Sequence, residues 1–325
     1  MGQKSVRIMM ATYNGEKFIG EQIQSIIDQT YENWSMIIQD DGSKDETWNI
    51  IVEYAKKDSR IEAKSSPEHK HGAFVNFFSI INQEKKSGRL YDYYMFSDQD
   101  DIWDKDKIER MISFSEKLNI SEPFLVFCDM RVVNAEGDQL FDSISKKMGT
   151  YYNPQSLFFS HSIHGCRFFM NQNAFFSVPM IDLDNRQTEA LSHDNLYTKY
   201  VAMLGKVIYM PEVLMSHRRH GGNTTDMTYR FQVSRALKRV THLNQLAKYH
   251  SYAYRASLIT INMMRKNDKI NQNELDEMEY VIKTGGLPAL IYSIKKKINW
   301  GTTIKNHSHR LILLFGLYKK YLALE

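Results

Sequence analysis

The chain has 325 residues, is 42% hydrophobic and 25% charged, and carries a formal net charge of +4. That length suits one large domain or a domain with an appendage, and the composition is that of a soluble globular protein. The only cysteines, Cys128 and Cys166, lie in apolar contexts without CxxC spacing, which excludes a disulfide scaffold and a cysteine-based zinc site and suits a reducing compartment. No apolar run approaches the ~18–20 residues that a bilayer-spanning helix needs. The start, Val6-Arg7-Ile8-Met9-Met10-Ala11, reads as a buried strand rather than a signal peptide.

In chain order, Thr12-Tyr13-Asn14-Gly15 is turn chemistry, and Ile19, Ile23, Ile26 and Ile27 share one face of a following helix. Trp34–Ile38 reads as a second strand ending in Gln39-Asp40-Asp41-Gly42-Ser43. A helix over about 45–57 turns Trp48, Ile51, Val52 and Ala55 inward. Helical patterns recur over 74–83 and 104–118, with a strand over 91–96 between them and another over 124–133. This β-α alternation predicts an α/β fold with a mostly parallel, Rossmann-like sheet. Further on, 166–170 reads as a strand, 188–204 as a helix, 206–210 as a strand, and His217-Arg218-Arg219-His220-Gly221-Gly222-Asn223 as a polar loop. From Arg230 to the end the pattern is helical, with Leu311, Leu314, Phe315, Tyr318 and Leu322 on one face.

The most informative stretch is Ser97-Asp98-Gln99-Asp100-Asp101-Ile102-Trp103, three carboxylates in four residues directly after a buried strand. Carboxylates this close repel and raise each other's pKa. A divalent cation, Mg²⁺ or Mn²⁺, relieves that repulsion and can hold a diphosphate at the carboxyl end of a strand. A helix N-cap needs only one such acid. Neither GxGxxG nor GxxxxGK[ST] occurs, so phosphate would have to be held by metal.

Taken in order, Ala11-Thr12-Tyr13-Asn14-Gly15-Glu16, Asp40-Asp41-Gly42-Ser43, Ser97–Trp103, His193-Asp194 and His217–His220 resemble family 2 glycosyltransferases, inverting enzymes with the GT-A (nucleotide-diphospho-sugar transferase) fold. The likeness is strongest to the bacterial rhamnosyltransferase-like branch that builds cell-wall and capsular polysaccharides. It covers roughly residues 5–228 and implies a catalytic domain over 1–228, with a nucleotide-sugar half to about 103 and an acceptor half from about 104. A basic helical C-terminal region, 229–325, follows. The resemblance implies that Ala11, Thr12, Tyr13, Glu16, Asp41, Asn76, Asp98 and Gln99 line the nucleotide pocket. It further implies that Asp100 and His220 hold Mn²⁺ or Mg²⁺, and that Asp194 is the general base. His161, His164, Gly165, Asn195 and His217 would border the acceptor. Here Asn195 and His217 stand where relatives often have Trp and Tyr, and Val75 where Lys or Arg is common. Asn76 by itself reads more simply as a packing residue.

The implied partners are a nucleotide-sugar donor, dTDP-L-rhamnose first, and a saccharide or lipid-linked saccharide acceptor, with no nucleic acid. A nucleotidyltransferase also uses acidic metal sites on α/β sheets, but no Lys or Arg precedes Lys17 in the first turn to grip phosphate. A non-catalytic saccharide- or polyanion-binding protein would have no use for Asp194. Charge is unevenly spread: residues 236–325 hold 15 Lys+Arg against 6 Asp+Glu, and the rest 27 against 32. The basic tail, with Lys295-Lys296-Lys297 beside Ile291, Ile294 and Ile298, is expected to face either solvent or an anionic membrane surface. The expected location is cytoplasmic, on the inner face of the membrane.

Overall fold

The computed structural model describes residues 2–67, 70–149, 153–160, 163–221, 237–301 and 303–322. His161, Tyr151 and Tyr152, and the whole stretch from Gly222 to Ala236, lie outside them. Among the described residues nine strands are formed: β1 (Val6–Thr12), β2 (Trp34–Asp40), β3 (Ile61–Ser65), β4 (Tyr93–Ser97), β5 (Ile102–Trp103), β6 (Phe124–Val133), β7 (Gln139–Phe141), β8 (Phe168–Asn171) and β9 (Lys206–Arg218). The helices between them are α1 (Ile19–Ile27), α2 (Thr47–Lys57), α3 (Ala73–Lys86), α4 (Lys107–Ser115), α5 (Ile144–Met148), α6 (Pro154–Phe159), α7 (Gln172–Ser177) and α8 (His193–Leu204). After β9 come α9 (Leu237–Met264), α10 (Gln272–Thr284), α11 (Gly286–Lys295) and α12 (Thr303–Phe315).

The strands form one sheet in the order β3-β2-β1-β4-β8-β6-β9-β5, with β7 on β6. From β3 to β4 all pairs are parallel, as the alternation predicts. Beyond β4 the sheet is mixed, because β8 runs antiparallel to both β4 and β6. The physical reason is the route of the chain. β8 enters opposite Phe127 and runs to Met170 opposite Leu125, toward the start of β6, so it lies antiparallel between β6 and β4. Side chains from the strands, including Ile8, Met10, Ile38, Met95, Phe96, Val126 and Phe168, are fully buried. That burial is what makes these near-continuous apolar runs strands.

Several boundaries differ from the sequence reading. The edge strand β3 was invisible because only Ile61 is buried in it, among Glu62 and Lys64. The helix expected over 188–204 begins at His193, after a separate 3₁₀ turn over Arg186–Ala190. His217 and Arg218 are strand rather than loop. β9 continues past Met210, and its end pairs with β6, Val132 against His217, and with β5, Ile102 against Ser216. Those ladder bonds override the polar look of the segment.

By internal contacts the chain falls into two units, residues 1–147 with 163–220, and residues 148–162 with 221–325. The sequence reading put 148–162 with the acceptor half. In the structure this segment joins the helices, since Ser257 Oγ donates to Phe158 O at 2.7 Å and Trp300 Nε1 to Phe159 O at 2.8 Å. Within the helical unit the phase of α12 also differs from the expected stripe. His309, Ile312 and Leu313 point inward, while Leu311 and Phe315 are exposed. Tyr318 is buried but lies beyond the helix end at Phe315, so it does not extend the helical face.

The core of this unit holds a buried imidazole pair. His250 Nε2 lies 2.5 Å from His309 Nδ1, His250 Nδ1 lies 2.7 Å from Tyr254 Oη, and Trp300 stacks on His309. Burial, and then His309, push the pKa of His250 well below that of an ordinary histidine. Such a group is neutral when folded and protonates more readily when unfolded. Its contribution is therefore complete above the unfolded value of about 6.5 and is lost as pH falls below it, by up to ~1.4 kcal/mol per pH unit. Urea midpoints followed by circular dichroism should fall between pH 7 and pH 5.5, and His250→Asn should flatten that slope.

Candidate active site

The site gathers at the carboxyl ends of β1, β2 and β4. The first turn is a clamp. Gln99 accepts from Tyr13 N at 2.8 Å and donates back to Tyr13 O at 3.0 Å. This closeness requires Gly15, since a Cβ there would sit 2.5 Å from Gln99 Oε1. Asn14 N donates to Ser43 Oγ and Gly15 N to Thr47 Oγ1, which ties the 12–16 turn to the loop after β2. Glu16 accepts from Glu46 N. Tyr13 is left with its ring half exposed over the pocket.

The paired acids after β2 have separate tasks. Asp40 is turn chemistry, accepting from Gly42 N and Ser43 N and from Thr12 Oγ1. Asp41 accepts from Gly72 N at 2.7 Å and pairs with His71 Nδ1 at 3.0 Å. Asn76 is a buried staple, donating to Thr12 O and Gln39 O and accepting from Gln39 Nε2. The packing reading therefore fits it, and Gly72 and His71 are the neighbours of Asp41 that the sequence reading missed.

After β4, the three carboxylates are crowded as expected, and β9 brings them cations. Asp101 pairs with His217 Nδ1 at 2.9 Å and accepts from Arg218 N at 3.3 Å. Asp100 pairs with His220 Nε2 at 2.8 Å. Arg218 bonds the carbonyls of Asp100 and Ala135, reaches Glu21, and lies over the Phe18 ring, against which His220 also packs. Burial, with Asp101 and Asp100 beside it, raises the pKa of Asp98, and burial with Asp101 raises that of Asp100. Burial alone would raise Asp101 as well, but His217 holds it below the usual range. Burial would lower His217, yet Asp101 outweighs it and lifts the imidazole to about 9.

Asp194 opens α8 and is buried, with Oδ1 accepting from Asn195 N at 2.7 Å. A carboxylate in a first helical turn is favoured by the helix dipole. Its charge adds a small push to the raised pKa of Asp98, after burial, Asp101 and Asp100. His193 fixes this helix start by stacking on Phe77 at 3.8 Å and meeting the edge of Phe96. Gly165 lets it fit, because a Cβ there would lie 2.3 Å from His193 Nε2 and 3.4 Å from Asp194 Cβ. His164 stacks on His217 with centroids 5.8 Å apart. Asn195 is buried beside Asp194. Ala11, next to last in β1, is only partly buried.

A divalent cation fits the set formed by Asp98, Asp100 and His220 on its chemistry: oxygen-rich, with one imidazole, and with two acids whose raised pKa a cation would relieve. Among the described residues, the group whose ligand-type atoms lie within 4.8 Å of one another is a different one, Asp101, Cys166 and His217. It is already neutralised internally. His217 balances Asp101, the Cys166 thiol is held protonated by burial and by Asp101 and Asp98, and the buried Lys107 ammonium donates to Cys166 O at 2.8 Å.

With this geometry in view, comparison with known proteins decides the family. The model of glycosyl transferase family 2 matches residues 7–176. The chain belongs to that family. It is 26% identical over 303 residues to an uncharacterized glycosyltransferase of Haemophilus influenzae, covering 89% of this chain and 90% of that one. Over 104 residues it is 46% identical to the dTDP-rhamnosyl transferase RfbG of Shigella flexneri, covering 32% of this chain and 35% of the relative. The structure of residues 1–349 of TarS from S. aureus with UDP-GlcNAc superposes with a TM-score of 0.56 at 13% identity, covering 98% of this chain and 90% of that 1–349 chain. That likeness carries the GT-A fold. The chain is thus a family 2 glycosyltransferase that takes a nucleotide-sugar donor and a saccharide acceptor.

If Tyr13 lines the nucleotide pocket as the resemblance implies, the Gln99 clamp sets its position. Gln99→Ala should weaken nucleoside diphosphate binding roughly tenfold, the worth of one or two lost hydrogen bonds. Gly15→Ala should weaken it comparably by forcing Gln99 aside. Calorimetric titration measures the affinity, and a melting temperature lowered by only a few degrees excludes unfolding as the cause.

Proposed function

We propose that this glycosyltransferase moves a sugar from a pyrimidine-nucleotide donor, dTDP-L-rhamnose first, to a saccharide acceptor in polysaccharide synthesis, inverting the anomeric centre in a single displacement. The observation that carries this reading is the acidic station after β4, where Asp98, Asp100 and Asp101 crowd together and His220 Nε2 lies 2.8 Å from Asp100, in a chain that matches the family over residues 7–176. The likeness to a dTDP-rhamnosyl transferase over 104 residues supports the choice of donor.

In this reading Asp41 accepts from the pyrimidine N3–H, a charge-assisted bond, with Gly72 N and His71 orienting its carboxylate. Tyr13, held by Gln99, stacks on the base. Asp100 and His220, with Asp98 beside them, hold Mn²⁺ or Mg²⁺, and the cation when bound stabilises the charge that develops on the leaving diphosphate. Arg218 supports this arrangement from behind through the Asp100 carbonyl. Asp194 takes the proton from the acceptor hydroxyl as it attacks, and single displacement needs only that one base. His164, Gly165, Asn195 and His217 border the acceptor side. The acceptor is a lipid-linked saccharide, and the enzyme works at the cytoplasmic face of the membrane.

Asp194→Asn should keep donor affinity and lose kcat on the order of 10²–10⁴-fold, because a general base acts only in the transition state. Steady-state transfer assays beside donor titrations separate the two, and a collapse of donor affinity would instead place Asp194 in the donor site. Asp100→Ala should abolish the Mn²⁺-dependent part of nucleoside diphosphate binding without lowering the melting temperature of the metal-free protein, since it removes one member of a repulsive cluster. Calorimetry with and without Mn²⁺ reads this directly, and unchanged metal dependence refutes the clamp.

A further inference from the structure

The last two helices form an antiparallel hairpin with an unusual charge pattern. From residue 285 to residue 324 the sequence contains seven Lys or Arg and no Asp or Glu. The turn between the helices is closed by Asn306, which accepts from Trp300 N at 2.7 Å and donates to Asn299 Oδ1 at 2.9 Å. At the open end Gly285 lies against Gly316, and Lys319 Nζ donates to Thr284 O at 3.1 Å. α11 buries Ala289, Tyr292 and Ser293, and α12 buries His309, Ile312 and Leu313, with α10 and α9 as their neighbours on the inner side.

The opposite faces carry several large apolar side chains, with His307 and Ser308 between those of α12. α11 exposes Leu287, Ile291 and Ile294 at i, i+4 and i+7, each by more than half. α12 exposes Ile304 at 80%, Leu311 at 45% and Phe315 at 67%. Lysines rim both ends of this patch, with Lys295 and Lys297 exposed at the turn and Lys319 and Lys320 exposed at the open end. Soluble monomers rarely leave so many large apolar side chains together in water. Among the described residues no helix is long and apolar enough to cross a membrane, so this surface can lie on a bilayer but not span it. Apolar side chains on one face, rimmed by cations with no acid among them, match the acyl boundary and anionic headgroups of a lipid leaflet.

We propose that the outward face of the α11–α12 hairpin docks on an anionic lipid bilayer, Leu287, Ile291, Ile294, Ile304, Leu311 and Phe315 entering the headgroup boundary while the flanking lysines pair with lipid phosphates. The proposal deepens the lipid-linked-acceptor reading by naming the surface that meets the lipid. The surface itself follows from burial and charge alone.

The test is flotation of the full-length chain with vesicles of phosphatidylcholine alone or mixed equally with phosphatidylglycerol. Binding should be at least tenfold stronger to the anionic vesicles and should fall as salt rises from about 0.1 M to about 0.5 M, where screening shortens the reach of the lysines. Lys295→Glu with Lys320→Glu should weaken it more than tenfold, since each cation near an anionic leaflet is worth about fivefold in partition. Ile291→Asp with Phe315→Asp should abolish it with unchanged circular dichroism and melting, both side chains being exposed. Equal binding to both vesicle types, binding to neither, or wild-type binding by these variants overturns the proposal. So does a dimer in sedimentation that Ile291→Asp with Phe315→Asp dissolves, which would assign the patch to a second copy. Nucleotide-sugar hydrolysis without vesicles separates the two readings. It should be unchanged in the docking variants, whereas its absence from the wild type would refute the donor reading and leave the vesicle result standing.

Discussion

The site depends on how three carboxylates at the end of β4 are neutralised. Asp98, Asp100 and Asp101 follow a strand whose side chains are wholly buried; Asp100 and Asp101 are themselves buried and Asp98 partly so, so water disperses little of their charge. The structure answers with the end of β9, which supplies His217 to Asp101 and Arg218 to the Asp100 carbonyl, and with His220 just beyond the strand, which pairs with Asp100. These three cationic or titratable groups come from residues more than a hundred positions away. Without them the acids would be forced to protonate or the strand end to move toward solvent. With them, Asp101 is spent on holding β9, while Asp98 and Asp100 keep the raised pKa of acids still short of positive charge. One cluster is thereby divided into a structural acid and two acids suited to a cation.

A similar division of labour recurs in the rest of the site. Of the two acids at the end of β2, Asp40 closes the turn and Asp41 pairs with Gly72 N and His71. Of His193 and Asp194, the imidazole is packed between Phe77 and Phe96 and the carboxylate is presented at the helix start. In each pair one polar group is used up by the fold, and its neighbour is thereby fixed in place. Gly15 and Gly165 serve the same end, because each leaves room for a polar side chain, Gln99 or His193, that positions a functional residue.

The helical unit solves a different problem. Its interior is aromatic and imidazole-rich, centred on His250, Tyr254, Trp300, His309 and Tyr318, and it uses the 148–162 segment as part of its own core. Having buried these large rings, α11 and α12 leave Leu287, Ile291, Ile294, Ile304, Leu311 and Phe315 outside, with lysines at both ends of the hairpin.

By itself the sequence determined the parallel half of the sheet, the acidic stations and their order, and the basic character of the tail. Buried strands and clustered like charges are local signals, readable wherever apolar runs end in Asp. Asp98, Asp100, Asp194 and His220 could be picked out on that basis together with motif order. Only tertiary structure decided what each polar group does. Asn76 became a staple and Asp101 an anchor. His217 became strand, and Gly72 and His71 became the partners of Asp41, because such roles depend on hydrogen bonds between residues far apart in sequence. The antiparallel β8 and the edge strand β3 were hidden because strand direction follows the route of the chain and an edge needs little burial. The face of α12 was misjudged because helical periodicity shows that a stripe exists, whereas only packing against α9 decides which stripe is covered.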